Sequence, residues 1–482
     1  MQFSTYEYIL FFLPAVICIY YLLNRWSELA GRIFLLAASV FFYAFAGIEF
    51  LLILAASVAV NYLFSLLLRK KGKGRPVLLW AGIIFNVLIL FYYKYSGFFM
   101  ENINRFFGTS HGIEDIILPL GISFIVFQQI AYLVDCCRGE ADSDSFLDYA
   151  LYTLYFPKLL MGPITLRKDL IPQFHDVQRK KISPDLMSRG IRMFVGGLCK
   201  KVLLADVFAP AVNWAFDNID FISSMDVFVT MLAYSFQIYF DFSGYSDMAS
   251  GSSLMLGIEL PVNFNSPYHA LSVRDFWKRW HMSLTGFLRQ YIYFPLGGSR
   301  KGKFRTYLNT MIVFLISGIW HGANYTFILW GLLHGALSIF DRLTEKKRDT
   351  VHPAMQWMLT FLAVGVLWLL FRSPGISDWV YLVKKMLCFT DLNVSVGIAV
   401  CFINPVTKML TGLLHLEHIS SLVYGFNLVI YFAVAFIVVL CFRNNSVRKY
   451  KNTVFSFVIS ALMLIVCLSC LGGEVFFVYN GF

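Results

Sequence analysis

Long apolar runs recur along the whole chain, separated by short polar loops. Most approach the roughly 20 residues that an α-helix needs to cross a lipid bilayer. Membrane segments are predicted at 8–23, 33–47, 50–67, 76–96, 118–136, 190–208, 225–258, 306–320, 323–340, 353–372, 421–441 and 452–472. The pattern therefore predicts an all-α, polytopic membrane protein with about 11–13 transmembrane or re-entrant helices.

Two segments do not fit a single straight span. Residues 225–258 are too long for one span and contain Asp241 and Asp247, so a broken or bent pair of helices is expected. Residues 150–164 are short and contain two prolines, which favours a re-entrant segment or two half-helices. Such irregular backbone persists at membrane depth only where protein buries it.

The stretch 272–291 has the pattern of an amphipathic helix rather than of a loop or a span. Large apolar residues recur at helical spacing from Trp277 to Tyr291. Ser272, with Asp275 three residues later, provides a capping-box start. The basic residues of this stretch, Arg274, Lys278, Arg279 and Arg289, favour a helix in or near the cytoplasmic interface.

Composition supports a single multi-pass domain over 1–482. The chain is 58% hydrophobic and 14% charged, whereas soluble domains contain roughly 25% charged residues. No long polar block separates a soluble enzyme from an anchor. The first apolar run lacks a preceding basic segment, which is typical of a first transmembrane helix rather than of a cleaved signal peptide.

The formal charge of +11 is concentrated in loops, including 69–75, 274–305 and 443–451. In a membrane protein this distribution indicates cytoplasmic loops rather than nucleic-acid binding. We therefore expect membrane lipids, and no nucleic acid, as partners. Counting spans outward from these loops places both termini outside the cytoplasm.

A histidine lies within the apolar stretch from Val313 to Phe340. His321, directly after Trp320, is a functional candidate because an ionisable side chain at membrane depth is costly. Imidazole is also suited to moving a proton near neutral pH. The sequence thus predicts a proton-transfer site at His321, with Trp320 beside it.

Polar residues after His321 extend this candidate site. Asn324 and Tyr325 follow by three and four positions, so in one helix they would share its face and orient the imidazole or bind substrate. His334 follows by 13 residues, which is about 220° beyond three turns. The two histidines are therefore expected to diverge, and no shared metal is expected.

A second histidine, His281, lies in the amphipathic stretch, four residues after Trp277 and three before Leu284. This spacing places it on the apolar face, towards protein or lipid. Two interpretations stay open: an interfacial histidine bonded to backbone, or a second functional histidine.

Three other polar groups in apolar context have structural and functional interpretations. Asp241 is expected to form an ion pair with an Arg or Lys of 272–305, or to act in catalysis. Asn263 is expected to lie in a turn that positions the amphipathic helix. Lys200 and Lys201 are expected to snorkel to the interface, or to hold donor phosphates.

Several segments together resemble a known family, the membrane-bound O-acyltransferases. The resemblance covers about 118–342, with 343–482 similar only in hydropathy and read as a membrane extension. Its first two segments are 276–284 (FWKRWHMSL) and 320–322 (WHG). Further segments, similar to the alginate O-acetyltransferase membrane subunits within this family, are 118–124, 156–158, 162–164, 241–247 and 263–268.

The resemblance implies that His321 is the active-site histidine and His281 a second important one. It implies that an acyl group, usually acetyl, is moved across the bacterial inner membrane to O-acetylate a cell-surface or exported polysaccharide. The donor would be a cytoplasmic acyl thioester such as acetyl-CoA, used as a substrate, with no bound cofactor. An exported acetyltransferase is the implied partner.

Three alternatives stay open from the sequence, one of which is a non-enzymatic membrane scaffold for a polysaccharide synthase. D-alanyl transfer to teichoic acid is the activity of close relatives, whose chains are usually shorter at the C-terminus. A proton-coupled transporter or flippase would use the histidines and Asp241 as a proton relay.

Overall fold

The computed structural model describes residues 1–70, 72–110, 112, 116–141, 143–348, 350–403, 412–415, 420–447 and 454–471. Its described residues form helices and loops without a β-strand. The all-α, polytopic prediction is confirmed. Part of the predicted span 452–472 lies outside the described residues. The basic residues Lys71, Arg448, Lys449 and Lys451 also lie outside them.

The helices of the described residues follow one another along the chain. Up to residue 217 they are α1 Leu13–Asn24, α2 Glu28–Ala44, α3 Ile48–Arg69, α4 Arg75–Leu90, α5 Ser96–Phe107, α6 Ile122–Arg138, α7 Phe146–Leu154, α8 Phe156–Leu159, α9 Arg167–His175, α10 Pro184–Cys199 and α11 Asp206–Asp217. They continue as α12 Ser224–Met255, α13 Val273–Arg279, α14 Met282–Leu288, α15 Gly302–His321, α16 Tyr325–Leu343, α17 Glu345–Arg348, α18 Pro353–Arg372, α19 Ile376–Cys388, α20 Val396–Val400, α21 Ser420–Cys441 and α22 Val454–Cys470. Wider π-helical turns lie at Glu7–Phe12, Phe91–Tyr95, Lys200–Ala205 and Arg289–Tyr293.

Within the described residues, five helical segments are long and apolar enough to cross a membrane. They are Glu7–Asn24, Ile48–Arg69, Arg75–Phe107, Pro353–Arg372 and Val423–Val447. The other predicted segments also form helices, but these are shorter or more polar. The total number of crossings therefore stays a prediction.

The chain divides into two compact units. The first comprises the described residues of Met1–Gly196, Tyr245–Val262 and Tyr450–Ala461. Its core contains stacked aromatic rings and a buried carboxylate, Asp144, which accepts two hydrogen bonds of 2.6 Å from Arg167. This bidentate geometry stabilises a charge that would be costly without a partner.

The second unit comprises the described residues of Gly197–Gly244, Asn263–Lys449 and Leu462–Phe482. Its core is rich in aromatic residues and includes the buried tryptophans Trp277, Trp280, Trp330 and Trp368. Both candidate histidines lie in this unit, so the rest of the site is described within it.

Two predictions about irregular segments have different outcomes. The segment 150–164 forms two short buried helices, α7 and α8, interrupted at Tyr155, as predicted. The prediction of a break in 225–258 is wrong, because α12 runs without interruption for 32 residues. Gly244 supports close packing here, since a Cβ at this position would lie 2.7 Å from the Gly197 carbonyl oxygen.

Candidate active site

Two buried histidines, 40 positions apart in sequence, each lie close to one indole ring. His321 is 4% exposed and His281 is fully buried. The Trp320 ring centroid lies 4.9 Å from that of His321 and 6.2 Å from that of His281. The structure therefore brings together the three residues of the Trp320–His321 and His281 candidates.

His321 is held at the end of α15 by close packing. The chain leaves the helix at Gly322, where a Cβ would lie 2.2 Å from the Phe327 ring. Gly318 packs equally closely, since its Cβ would lie 2.3 Å from the Phe327 carbonyl oxygen. Glycine at both positions lets α15 and α16 approach, which fixes the direction in which the His321 side chain leaves the backbone.

The expectation that Asn324 and Tyr325 share a helix face with His321 is wrong. The helix ends at His321, and α16 begins at Tyr325 with Asn324 as its N-cap. The Asn324 side-chain oxygen accepts from the Thr326 backbone N–H at 3.0 Å, while its amide nitrogen donates to the Pro374 carbonyl at 3.0 Å. Asn324 therefore shapes the turn after His321, and Tyr325 is half exposed.

Aromatic rings surround the His321 imidazole. Trp330 and Phe371 each have a ring centroid 5.2 Å from that of His321, in edge-on geometry. Both rings are buried in the aromatic core of the unit. The imidazole therefore faces protein rather than lipid.

His281 occupies a corner between two short helices, so the prediction of one amphipathic helix over 272–291 is wrong. The backbone of His281 has φ 42°, in the left-handed region, and separates α13 from α14. The apolar spacing used for the prediction continues across this corner, which is why the sequence pattern did not reveal it. Ser272 does cap the start of α13, accepting from the Asp275 backbone N–H.

Asn263 holds the His281 corner through hydrogen bonds. Its backbone carbonyl accepts from the Met282 N–H at 2.9 Å. Its side-chain oxygen accepts from the Ser283 N–H at 3.3 Å and from the Ser283 hydroxyl at 2.6 Å. These bonds satisfy the first free N–H groups of α14, which the left-handed residue cannot cap itself.

Asp241 has a different partner from the one expected. Its carboxylate lies 2.8 Å from the ammonium of Lys201, which also contacts Asp206 at 2.7 Å. Lys201 is 1% exposed, so the expectation that it snorkels to the interface is wrong. Lys200 is also buried and donates to the Ser243 hydroxyl at 2.8 Å. The π-helical turn directs both lysines towards α12, which explains why that helix tolerates its carboxylate without breaking.

A cavity of about 340 Å³ opens beside the His281 helices. Its lining includes four basic side chains, Arg274, Lys278, Arg289 and Arg342. The remaining wall is mainly apolar or carries hydroxyl groups, with Trp277 among its members. The basic cluster was visible in the sequence, but the cavity that it surrounds was not.

Trp277 links this cavity to the aromatic rings around His321. The Trp277 indole N–H donates to Nδ1 of His334 at 3.2 Å. Its ring centroid lies 5.6 Å from that of Trp330, which in turn contacts His321. Two aromatic side chains, Trp277 and Trp330, therefore connect the cavity wall to the imidazole of His321.

Within the described ranges, no three His, Cys, Asp or Glu side chains are grouped so that they could hold a metal ion. The groups available at the site are imidazole, indole and hydroxyl groups, together with the Arg and Lys side chains that line the cavity.

Comparison with known proteins identifies the family. Residues 138–373 match the profile of the membrane-bound O-acyltransferase family. A peptidoglycan O-acetyltransferase of Helicobacter pylori is 38% identical over 437 residues, covering 84% of this chain and 82% of the relative. The chain belongs to the membrane-bound O-acyltransferase family. It is therefore an O-acyltransferase and a multi-pass membrane protein.

Other members of the family are also similar. A protein named "Probable alginate O-acetylase" from Pseudomonas aeruginosa is 37% identical over 387 residues, 78% of this chain and 73% of the relative. A teichoic acid D-alanyltransferase of Bacillus subtilis is 30% identical over 271 residues, 53% of this chain and 67% of the relative. Membership of the family favours acyl transfer over the transporter hypothesis.

Proposed function

We propose that this O-acyltransferase takes an acetyl group from a cytoplasmic thioester, acetyl-CoA, and moves it across the bacterial inner membrane for O-acetylation of a cell-surface or exported polysaccharide. The observation that carries the proposal is the buried His321, connected through the rings of Trp330 and Trp277 to a cavity with four basic side chains. The acetyl group is favoured because the relatives that match most of the chain are named as O-acetyltransferases or O-acetylases.

His321 is proposed as the general base. A hydroxyl is a poor nucleophile until its proton is removed, and neutral imidazole accepts that proton. The hydroxyl oxygen then attacks the acyl carbon, a C–O bond forms, and the C–S bond breaks. The thiolate leaves and takes up the proton from the imidazolium, so the base is restored.

The remaining site residues are proposed to support this step. His281 donates to the developing oxyanion or orients the donor, and Trp320 fixes the separation of the two imidazoles. Asn263 positions the His281 corner, while Asn324 and Tyr325 position the turn that follows His321. Asp241 acts through its ion pair with Lys201, which holds α12 in place.

The basic side chains of the cavity are proposed to receive the phosphates of acetyl-CoA. Arg274, Lys278, Arg289 and Arg342 supply positive charge at one site, and guanidinium groups bind phosphate in bidentate geometry. From the positive-inside rule, we propose that this face lies in the cytoplasm and that both termini lie outside. An exported acetyltransferase is proposed as the partner that receives the acetyl group.

The decisive test replaces His321 by alanine. We expect His321→Ala to accumulate in the membrane and to lose polysaccharide acetylation by about 100-fold or more, the size of a general-base contribution. Alkali-released acetate from the cell surface measures the product. His352→Asn, which changes a histidine at the start of α18 but keeps a capping side chain, is the matched control. Normal acetylation in the His321 variant would refute the proposal.

A second candidate, D-alanyl transfer to teichoic acid, has one supporting observation, the Bacillus subtilis relative that matches about half of the chain. Membranes supplied with radiolabelled acetyl-CoA, or with a D-alanyl thioester, discriminate between the two. Transfer of the D-alanyl label alone would replace acetyl by D-alanyl as the cargo.

A further inference from the structure

The turn formed by residues 263–269 is bonded to the backbone on both sides of His281. Before the histidine, the Asn265 N–H donates to the Arg279 carbonyl at 2.9 Å. After it, the first N–H of α14 donates to the Asn263 carbonyl, also at 2.9 Å. The backbone that carries the imidazole therefore follows the position of this turn.

Residues 439–446, at the end of α21 and just after it, form a clamp on the same turn. The Asn444 N–H donates to the Ser266 hydroxyl at 3.1 Å. The Ser446 hydroxyl donates to the Phe264 carbonyl at 2.9 Å. The turn is thus bonded to the clamp as well as to the two short helices beside His281.

A third contact shows that the clamp and the turn run in opposite directions. Nε2 of His269 lies 2.7 Å from the Val439 carbonyl oxygen, and this nitrogen is the donor because a carbonyl can only accept. Val439 is thus paired with His269 at one end, and Ser446 with Phe264 at the other. The clamp therefore lies alongside most of the turn rather than touching it at a single point.

The Asn444 side chain anchors the clamp to two other elements of the unit. Asn444 is 4% exposed. Its side-chain oxygen accepts from the Lys200 ammonium at 3.2 Å, and its amide nitrogen donates to the Tyr239 hydroxyl at 3.4 Å. Lys200 lies in a π-helical turn and Tyr239 lies in α12. Asn444 therefore connects these elements, through its own backbone N–H, to the turn beside His281.

The turn also reaches the surroundings of the imidazole through one ring. The Phe264 ring centroid lies 5.1 Å from those of Trp280 and Phe242. The Phe242 ring lies 4.8 Å from the His281 ring, in edge-on geometry. A shift of the turn would therefore move the backbone on both sides of His281 and a ring that packs near it.

We propose that the clamp holds His281 in the position that acyl transfer requires, with Asn444 as its main positioning residue. The inference rests on the proposed function, in which His281 supports the transfer step. The clamp lies beyond residues 138–373, the part of the chain that matches the family profile. It therefore gives the membrane extension, residues 343–482, a part in the reaction.

Transfer of label from saturating radiolabelled acetyl-CoA, measured in membranes per amount of protein, tests the inference. Asn444→Ala should lower the rate about tenfold or more, since a small displacement of a catalytic group can cost about 100-fold. Asn444→Asp keeps an accepting oxygen for Lys200 and should recover most of the rate. Asn218→Ala is the matched control, because the Asn218 amide donates to the Trp214 carbonyl of its own helix. Its rate should stay within about twofold of the unmodified protein.

The two hydroxyl bonds between the clamp and the turn are tested separately. Ser266 has φ 46°, so glycine suits its backbone and removes only the hydroxyl. Ser266→Gly and Ser446→Ala should each lower the transfer rate about three- to tenfold, the equivalent of one hydrogen bond. Unchanged rates in both variants would overturn the clamp.

A double substitution separates the positioning of His281 from a general loss of structure. If Asn444 acts through His281, Asn444→Ala should have little further effect in the His281→Asn protein, whose remaining rate does not depend on the imidazole. The same fractional loss in both backgrounds would overturn the inference, because a structural defect lowers the rate whichever residue occupies position 281.

The results also separate the clamp from the proposed function. An unmodified rate in Asn444→Ala would overturn the clamp, while loss of transfer in His321→Ala would still support the general base. Full activity of His281→Asn would overturn both the proposed role of His281 and the clamp that positions it. Normal transfer in His321→Ala would refute the general base without any change at Asn444.

Discussion

The two candidate histidines lie at two helix breaks that are held in different ways. At the His281 corner, Asn263 satisfies the free N–H groups of α14 through hydrogen bonds, and the backbone is left-handed. At the end of α15, His321 is followed by extended backbone, and Gly322 is packed against the Phe327 ring. One break depends on hydrogen bonds and the other on the absence of a Cβ, so different substitutions should disrupt them.

Among the substitutions that test how the two breaks are held, Gly322→Ala is expected to have the largest effect. Its Cβ would lie 2.2 Å from the Phe327 ring, and overpacking of this kind costs about 1–3 kcal/mol. We expect lower thermal stability together with loss of most acyl transfer, because His321 shifts with the turn. Stability is measured by thermal unfolding in detergent and transfer with labelled acetyl-CoA.

Gly286→Ala, beside the His281 corner, is the matched control for Gly322→Ala. Gly286 lies in α14, and a Cβ there would meet nothing within 4 Å. Alanine should therefore preserve activity and stabilise the helix slightly. If Gly322→Ala behaved like Gly286→Ala, close packing would not be what holds His321.

His281→Asn should strongly reduce activity with little effect on stability. Asparagine tolerates the left-handed conformation better than alanine does, so it removes the imidazole while keeping the corner. His281→Ala should lose both stability and activity. Transfer rates and unfolding temperatures of the two variants separate the chemical role from the backbone role, and full activity of the asparagine variant would leave only the structural interpretation.

Asn263→Ala should cost about 1 kcal/mol of stability, the usual value of a lost cap, and reduce transfer about tenfold through displacement of His281. Asn263→Asp keeps the accepting oxygen and should recover most of both losses. The comparison is made by unfolding temperature and by kcat. If aspartate gave no recovery, the Asn263 contribution would not come from the accepted hydrogen bonds at Ser283.

Tyr325→Phe is expected to have the smallest effect. The side chain is half exposed at the start of α16, and its helix cap is supplied by Asn324. Transfer within about twofold of the unmodified protein is expected for removal of an exposed hydroxyl. A large loss in an acetyl-CoA assay would instead place the Tyr325 hydroxyl among the groups that bind substrate.

Much of the architecture could be predicted because apolar runs of sufficient length require helices in lipid. The capped start of α13 at Ser272 was likewise readable, since its cap residues are adjacent in sequence. The His281 corner was not, because the group that stabilises it comes from Asn263, outside the helical pattern. The continuity of α12 is equally hidden in the sequence, because the partner of its buried Asp241 is Lys201, which lies in the separate turn Lys200–Ala205.

The predicted divergence of His334 from His321 applies only if one straight helix carries both residues. The break at Gly322 removes that geometry, and Trp330 contacts both rings. Sequence periodicity identifies a helix face only within an unbroken helix. Here the helix stops at Gly322, whose close packing against the Phe327 ring is visible only in the structure.

The sharing of Lys201 between Asp206 and Asp241 has a consequence for biogenesis. A lone ammonium or carboxylate in hydrocarbon is costly during insertion by the translocon. The segment carrying Lys201 already contains a counter-ion in Asp206, whereas the segment carrying Asp241 depends on Lys201 from the preceding segment. The Asp241 segment should therefore integrate best while the Lys201 segment is beside it, and separating the two by a long inserted loop should reduce integration of the Asp241 segment.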